Sequence, residues 1–494
     1  MLPSAPGTFR LLSTTPRVRV LHVSWLAFFI SFLVWFNQAP LMAAIRDSLQ
    51  LSKEQVATLL IVNVALTIPA RVLVGMFVDK FGPRHVYTAL LLAGGGLCIS
   101  FALVSDFTAL AILRLLLGCV GAGFVIGIRL IAEWFPARES GYAQGIYAGL
   151  GNFGSAAGAV TLPTLAVVFG GAEGWRWAIA ITGIISIAYA GVFYWLVTDT
   201  PPGSTYFKPK KTGAMEVTSR GDFLFYVLMQ APLVLALGAL VWKLGPVGLH
   251  MLSPAMTWSL SLALAALYVV QIGDSWRVNR GLFAAKTPVP VLHRYRFCQV
   301  AALDIAYMIT FGSELAVISI LPLLFKDMFG LSLAMAGFVG ASFGMTTFFA
   351  RPAGGWLSDR FGRRRILLIC LTGTAAGYGA MSLIGTATGL MFAVGVTFLC
   401  SLFVNAGNGA VYAMLPMIKR RLTGQIAGMV GAFGNVGGVV FLVVYSLVDI
   451  KTFFLIAAAS AVLGWVIAAF WIDEPRGQIA EEMPDGSIAL IDVT

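Results

Sequence analysis

The chain has 494 residues, 59% of them hydrophobic and 11% charged, with 33 Lys+Arg against 22 Asp+Glu for a net charge of +11. A soluble domain of this length carries far more charge, and no domain-length polar, basic stretch exists to grip nucleic acid. In so apolar a chain the basic excess reports membrane topology, through the bias of Lys and Arg toward the cytoplasmic side.

Residues 1–20 form an N-terminal segment with Arg10, Arg17 and Arg19 ahead of a long apolar run. It lacks the short apolar core and small-residue cleavage site of a removable leader, so the first span stays in place. Apolar runs near 21–45, 56–78, 86–105, 108–132, 141–170 and 177–198 make a first six-span half over 21–198. Each is long enough to cross a hydrocarbon core about 30 Å thick. Residues 199–296 are a linker: a polar, basic 199–221 with Lys208, Lys210, Lys211 and Arg220, two further apolar runs near 223–244 and 252–272, then a basic stretch from Arg277 to Arg296. The second half, 297–472, has runs near 297–325, 332–357, 366–385, 388–415, 424–448 and 452–472. The expected architecture is an all-α polytopic membrane protein of two six-helix halves plus two inserted transmembrane helices, an even insertion that preserves the second half's orientation. Basic clusters at Arg17/Arg19, Lys80/Arg84, Lys208–Lys211, Arg277/Arg280, Arg363–Arg365 and Lys419–Arg421 fall on one side and place both termini in the cytoplasm. In the acidic tail, 473–494, the stretch Gly477–Thr494 has too little apolar content for a domain and is expected to be mobile. Cys98, Cys119, Cys298, Cys370 and Cys400 are scattered and read as small core residues. The four histidines (His22, His85, His250, His293) stand apart, and no metal, cofactor, nucleotide loop or nucleophile constellation is expected, so the chain does not read as an enzyme.

An internal repeat carries the functional signal. Thr67–Arg84 is echoed by Thr347–Arg364: Arg71 and Arg351 interrupt apolar runs, followed by Gly75 and Gly355, then Asp79 and Asp359. Asp79-Lys80-Phe81-Gly82 with Arg84 matches Asp359-Arg360-Phe361-Gly362 with Arg363 and Arg364, 280 positions on, and Gly151-Asn152-Phe153-Gly154 recurs as Gly434-Asn435-Val436-Gly437, 283 positions on. Two halves facing each other are implied. Arg71 lies about 12 Å along its helix from Asp79, near mid-membrane, and Arg351 at the same depth. A guanidinium there cannot lose its charge and needs a wet cavity or an anionic partner. A buried carboxylate would meet that need structurally. Two arginines converging from opposite halves repel, and an anion between them removes the repulsion while gaining charge-assisted, bidentate hydrogen bonds.

The surrounding residues are read in the same terms. Close helix packing explains most glycines of Ala148–Ala159 and Gly428–Gly438, but Asn152 and Asn435 are buried amides that need partners, and a small anion offers acceptors. Asp304, Tyr307, Phe311 and Glu314, spaced 3, 4 and 3, share one helix face. Tyr307 can donate a hydrogen bond and Phe311 can wall a dry site. The two carboxylates can titrate with transport or pair with Arg71, Arg129 or Arg351, and structural pairing is expected for at least one. Arg129 and Glu133 read as an intrahelical ion pair. The loops with Gly75, Asp79, Arg84, Gly355, Asp359 and Arg363 read as cytoplasmic gating loops that latch to helix ends.

On these motifs the chain resembles the major facilitator superfamily, whose signature is the G-x-x-x-D-[KR]-x-G-x-R loop, and within it the nitrate/nitrite porter family of cyanobacterial type. The two glycine-rich stretches Gly149–Gly158 and Gly431–Gly438, the two arginines, Ala122–Pro136 and Thr310–Ala316 carry that resemblance over nearly the whole chain. It implies a monomeric transporter in the lipid of the plasma (inner) membrane whose partners are nitrate, nitrite and protons. It implies further that Arg71 and Arg351 clamp the anion; that Asn152, Tyr307, Phe124, Phe311 and an aromatic of the first span, Trp35 or Phe36, line the site; and that Asn435 joins them less directly. Proton symport, with Glu314 and then Asp304 as carriers, is expected ahead of nitrate/nitrite exchange or transport of another small anion.

Overall fold

The computed structural model describes residues 10–492 apart from 136, 172, 204–213, 249, 285–293, 420–421, 475–477 and 483–487; side chains are described except those of 72, 79, 137–142, 416, 423, 424 and the tail strands. Lys208, Lys210, Lys211, Arg420, Arg421 and the side chain of Asp79 thus lie outside the described residues.

Among the described residues, fourteen long helical stretches, most of them membrane-length, follow one another along the chain. The first half comprises α1 (Pro16–Phe36), α2 (Lys53–Ala65 continued by Thr67–Phe81), α3 (Pro83–Leu103), α4 (Phe107–Trp134, with a 3-10 turn at Gly118–Ala122), α5 (Ala137–Phe169) and α6 (Gly174–Leu196). The inserted pair is α7 (Arg220–Leu244) and α8 (Pro254–Asn279). The second half comprises α9 (Phe297–Phe329), α10 (Leu333–Gly340, Ser342–Met345 and Thr347–Phe361), α11 (Arg363–Met381), α12 (Leu390–Ile418), α13 (Thr423–Leu447) and α14 (Ile450–Trp471). Among the described residues, twelve of these fourteen are long and apolar enough on their own to cross a membrane. The other two are α2, the second helix of the first half, and α11, the third helix of the second half, which opens on three arginines.

The repeat is visible in how helices start, break and pack. Ser52 and Ser332, 280 positions apart, cap α2 and α10 by accepting from the backbone N–H of Gln55 and Met335, satisfying a donor the helix start leaves free. Both helices are interrupted five residues before their arginine, at Leu66 and Thr346. In α2 the cause is Pro69, which has no N–H to offer the Ala65 carbonyl; α10 has no proline there but carries Gly340 and Gly344. α1 packs on α5 and α3 on α6, as α9 packs on α13 and α11 on α14. A Cβ at Gly154 would sit 2.1 Å from the Phe29 carbonyl oxygen, and one at Gly437 2.1 Å from that of Met308. Only glycine allows these two helix pairs to approach so closely.

The inserted pair lies outside the two halves. α7 rests on α13, α9 and the Lys53–Ala65 part of α2, while α8 rests on α7. Gln230 donates to Ser275 at 3.0 Å and Tyr268 to the Val227 carbonyl at 2.9 Å. α8 runs to Asn279 instead of stopping near 272. The Asn279 side chain there accepts from Val217 N–H and donates to the Met215 carbonyl, tying the helix end to the linker. The tail also departs from expectation: Gln478–Glu482 pairs antiparallel with Ile488–Asp492, Ile479 opposite Ile491. Ile479 in one run and Ile488, Leu490 and Ile491 in the other supply strand-forming residues, too few for a domain.

Candidate anion-binding site between the halves

Arg71 and Arg351 are both buried, and their surroundings break the repeat. Arg71 reaches across to the other half, donating from Nη1 to the Gly431 carbonyl on α13 at 2.7 Å, with its guanidinium 5.3 Å from the Phe124 ring centre. No carboxylate meets it among the described residues, and its Nε has no hydrogen-bond partner there. Arg351 instead forms a buried ion pair with Glu314 at 2.6 Å, donates from Nε to Asn405 at 3.3 Å, and lies 5.1 Å from the Phe311 ring centre. Glu314 also accepts from Asn408 at 2.7 Å and from Thr347 at 3.3 Å. The position 280 before Glu314 is Val34, so the first half has no counterpart. Two guanidiniums and one carboxylate leave one net positive charge between the halves.

Aromatic rings enclose this charge. Tyr307 and Phe311 stack at 4.9 Å on α9, Tyr412 of α12 stands edge-on to Tyr307 at 5.1 Å, and Phe124 of α4 meets Tyr412 across the halves at 6.2 Å. Tyr307 and Tyr412 both lie within electrostatic reach of both arginines. The first-span aromatic that meets Phe124 is Phe28, at 5.7 Å, and neither Trp35 nor Phe36. Trp35 is turned into the first half, where its indole donates to the Asn63 carbonyl at 2.7 Å and its ring lies against Gly121. Phe36 lines a small void near the helix ends opposite the termini.

Asn152 and Asn435 make the same contact in each half, donating to the carbonyl one turn back, Ala148 at 2.8 Å and Gly431 at 3.2 Å. Each amide keeps a second N–H. Asp304 is buried like Glu314, yet neither of its oxygens has a hydrogen-bond partner among the described residues. It sits about 15 Å along α9 from Glu314, toward Tyr226 of α7, and the structure does not bring it to the arginines. Arg129 and Glu133 form an ion pair at 2.8 Å.

Sequence reasoning missed Asn405 and Asn408, which the argument for Asn152 would have found in their apolar span, and Arg114. The latter is fully buried and donates to Asn37 at 2.9 Å and to the Trp35 carbonyl, closing the end of α1.

The two repeated loops latch to the last helix of their own half. Asp199, just past α6, accepts from the Arg84 N–H at 2.7 Å, and a Cβ at Gly82 would strike its carboxylate. Arg84 donates to the Tyr194 carbonyl and stacks on the Tyr194 ring at 4.1 Å. Glu474, just past α14, accepts from the N–H groups of Arg363 and Arg364 at 2.7 and 2.8 Å. Each carboxylate thus caps the positive end of a helix, α3 or α11. Asp359 pairs with Arg363 at 2.7 Å. Gly75 packs on Val125 of α4 and Gly355 on Gly409 of α12.

A second latch joins the two halves at the face opposite the termini. Ile45-Arg46-Asp47, in the short helix Met42–Leu49, recurs 280 positions later as Phe325-Lys326-Asp327. Arg46 donates to both Asp327 oxygens, at 2.5 and 3.0 Å, and Lys326 meets Asp47 at 3.1 Å. Each basic residue pairs with the other half's aspartate. Burial works against the Asp47 carboxylate, but hydrogen bonds from Arg46 and Lys326 outweigh it and hold its pKa below the ordinary aspartate value.

A buried, charged site enclosed between two repeated helical halves is the construction of a secondary transporter. The profile of the Major Facilitator Superfamily matches residues 24–285 and 303–488. Nitrate/nitrite transporter NrtP of Nostoc punctiforme is 44% identical over 95% of each chain, and its counterpart in Picosynechococcus sp. is 41% identical over 94% of each. Among solved structures, a D-xylose-proton symporter aligns with a TM-score of 0.61 at 16% identity, covering 92% of this chain and 97% of that one, a likeness of fold alone. The chain belongs to the major facilitator superfamily and, within it, to the nitrate/nitrite porter family. It is an integral membrane protein.

Proposed function

We propose that this protein imports nitrate and nitrite across the plasma (inner) membrane by alternating access, in symport with a proton, with both termini in the cytoplasm. The observation that carries this reading is the uneven neutralisation of the two arginines. A symporter must return empty, and two bare guanidiniums would oppose closure around an empty site. Glu314 removes that obstacle by neutralising Arg351, while Arg71 stays available for an anion. One net positive charge suits a flat monoanion, which the aromatic rings can wall and the guanidinium can bind in bidentate fashion. An anion that also engages Arg351 competes with Glu314 for the guanidinium, and a proton taken up on Glu314 releases the arginine to the anion. Anion and proton then enter together.

The test is nitrate and nitrite uptake into liposomes containing no internal anion, with and without an inward proton gradient. Uptake that follows the gradient and is lost in Glu314→Gln is expected. Uptake that requires internal nitrite or nitrate and ignores the gradient would establish exchange instead.

A further inference from the structure

We infer that Tyr412 donates a hydrogen bond to the bound anion, at a point that Gly431 keeps open; this rests on the anion-transport reading above. Tyr412 brings its ring from α12 to the centre of the site, between Tyr307 and Phe124. Its phenolic oxygen is shielded from solvent and, although the Tyr307 hydroxyl lies close to it, makes no hydrogen bond of good geometry among the described residues. A phenol left so in a dry interior is destabilising, and its neighbours show what would satisfy it.

A Cβ built on Gly431 would meet two atoms within 4 Å outside its own helix backbone: Arg71 Nη1 at 3.2 Å and Tyr412 Oη at 3.5 Å. A charged donor and a neutral donor therefore converge on one small space. That space exists because position 431 lacks a side chain; the corresponding residue of the first repeat, 283 positions earlier, is Ala148. Arg71 Nε, buried nearby, is likewise without a partner. Arg71 Nη1 gives one of its two N–H groups to the Gly431 carbonyl and keeps the other; with Tyr412 Oη and Arg71 Nε this leaves donors around an unfilled point that call for an acceptor, and a nitrate or nitrite oxygen supplies one. Tyr412 completes on the second half's side what Arg71 begins on the first, so the anion bridges the two halves when it binds.

Tyr412→Phe tests this because it keeps every ring contact and removes only the hydroxyl. In proteoliposomes it is expected to raise the KM for nitrate, and to weaken equilibrium nitrate binding by the purified protein, by about tenfold, the effect of losing one hydrogen bond to a charged group. Gly431→Ala, which puts a methyl group at the convergence point, is expected to weaken nitrate binding comparably with Tyr412 intact. If Tyr412→Phe leaves KM and affinity within about twofold of wild type while wild type binds nitrate, the hydroxyl has no such role. A wild-type protein that neither binds nor transports nitrate or nitrite overturns the transport reading itself, a result separable from the first because it appears before any variant is made.

Discussion

The crossed ion pairs Arg46–Asp327 and Asp47–Lys326 tie the halves together where an outward-open state must separate them. Arg46 and Lys326 are about a quarter exposed and their aspartates about half. Pairs this exposed contribute about 0.2–1 kcal/mol each, with the bidentate Arg46–Asp327 contact at the upper end. Together they hold that face closed by roughly 1.5 kcal/mol, so breaking them should raise the open population by about tenfold. The assay is labelling by a membrane-impermeant maleimide of a cysteine placed at Ala159, which lines the void beside Phe36, in a background without the native cysteines. Arg46→Asp and Asp327→Arg should each accelerate labelling by up to that factor, and the double swap should restore the slow rate. The pH dependence has a definite sign. A carboxylate with a depressed pKa keeps its ion pair above the ordinary aspartate range and loses it only as pH falls through the lower value. Labelling should therefore stay flat between about pH 5 and 8. Single variants that label like wild type, a swap as leaky as the singles, or opening near pH 6 would each refute the latch.

Arg71→Lys and Arg351→Lys keep the charge but lose the planar fork; each should reduce nitrate uptake more than about tenfold at unchanged expression, measured in proteoliposomes. Asp199→Ala and Glu474→Ala remove carboxylates capping α3 and α11 and should each cost about 1 kcal/mol, seen as a lowered unfolding temperature with unchanged KM for nitrate.

The spans and the repeat were legible in the sequence because they depend on hydrophobic run length and on spacing, both local properties. The same 280-residue offset that linked Arg71 to Arg351 also links Arg46-Asp47 to Lys326-Asp327, yet two charges at a helix end look like ordinary solvated residues until the halves are brought together. Asp199 and Glu474 escaped notice for a related reason: each follows the last helix of its half, and its partner is a backbone N–H more than a hundred residues away. The choice between Trp35 and Phe36 failed because a helix rich in aromatics does not announce which face meets α4, and Phe28 lies two turns earlier. Glu314 shared a helical face with Asp304, and that spacing gave no hint that α12 would supply Asn408 to one and nothing to the other.

The charge count of the site leads to a last expectation. Arg71, Arg351 and Glu314 sum to one positive charge in a dry, ring-walled space, where an uncompensated charge is costly and a matched one is not. A monoanion brings the site to neutrality. A dianion such as sulfate leaves it negative, whatever its fit to the guanidiniums, so sulfate should not compete with nitrate for the wild-type protein. Glu314→Gln preserves the shape of the carboxylate and the acceptor for Arg351 while raising the site to two positive charges. Nitrate should then bind more tightly but turn over more slowly, because the loaded site stays charged and the empty site repels itself. Sulfate should become a measurable competitor. Competition binding with both anions on both proteins decides the matter: sulfate competing with wild type would refute the charge argument, and sulfate failing equally with wild type and Glu314→Gln would mean that selectivity comes from shape alone and that Glu314 only holds Arg351 in place.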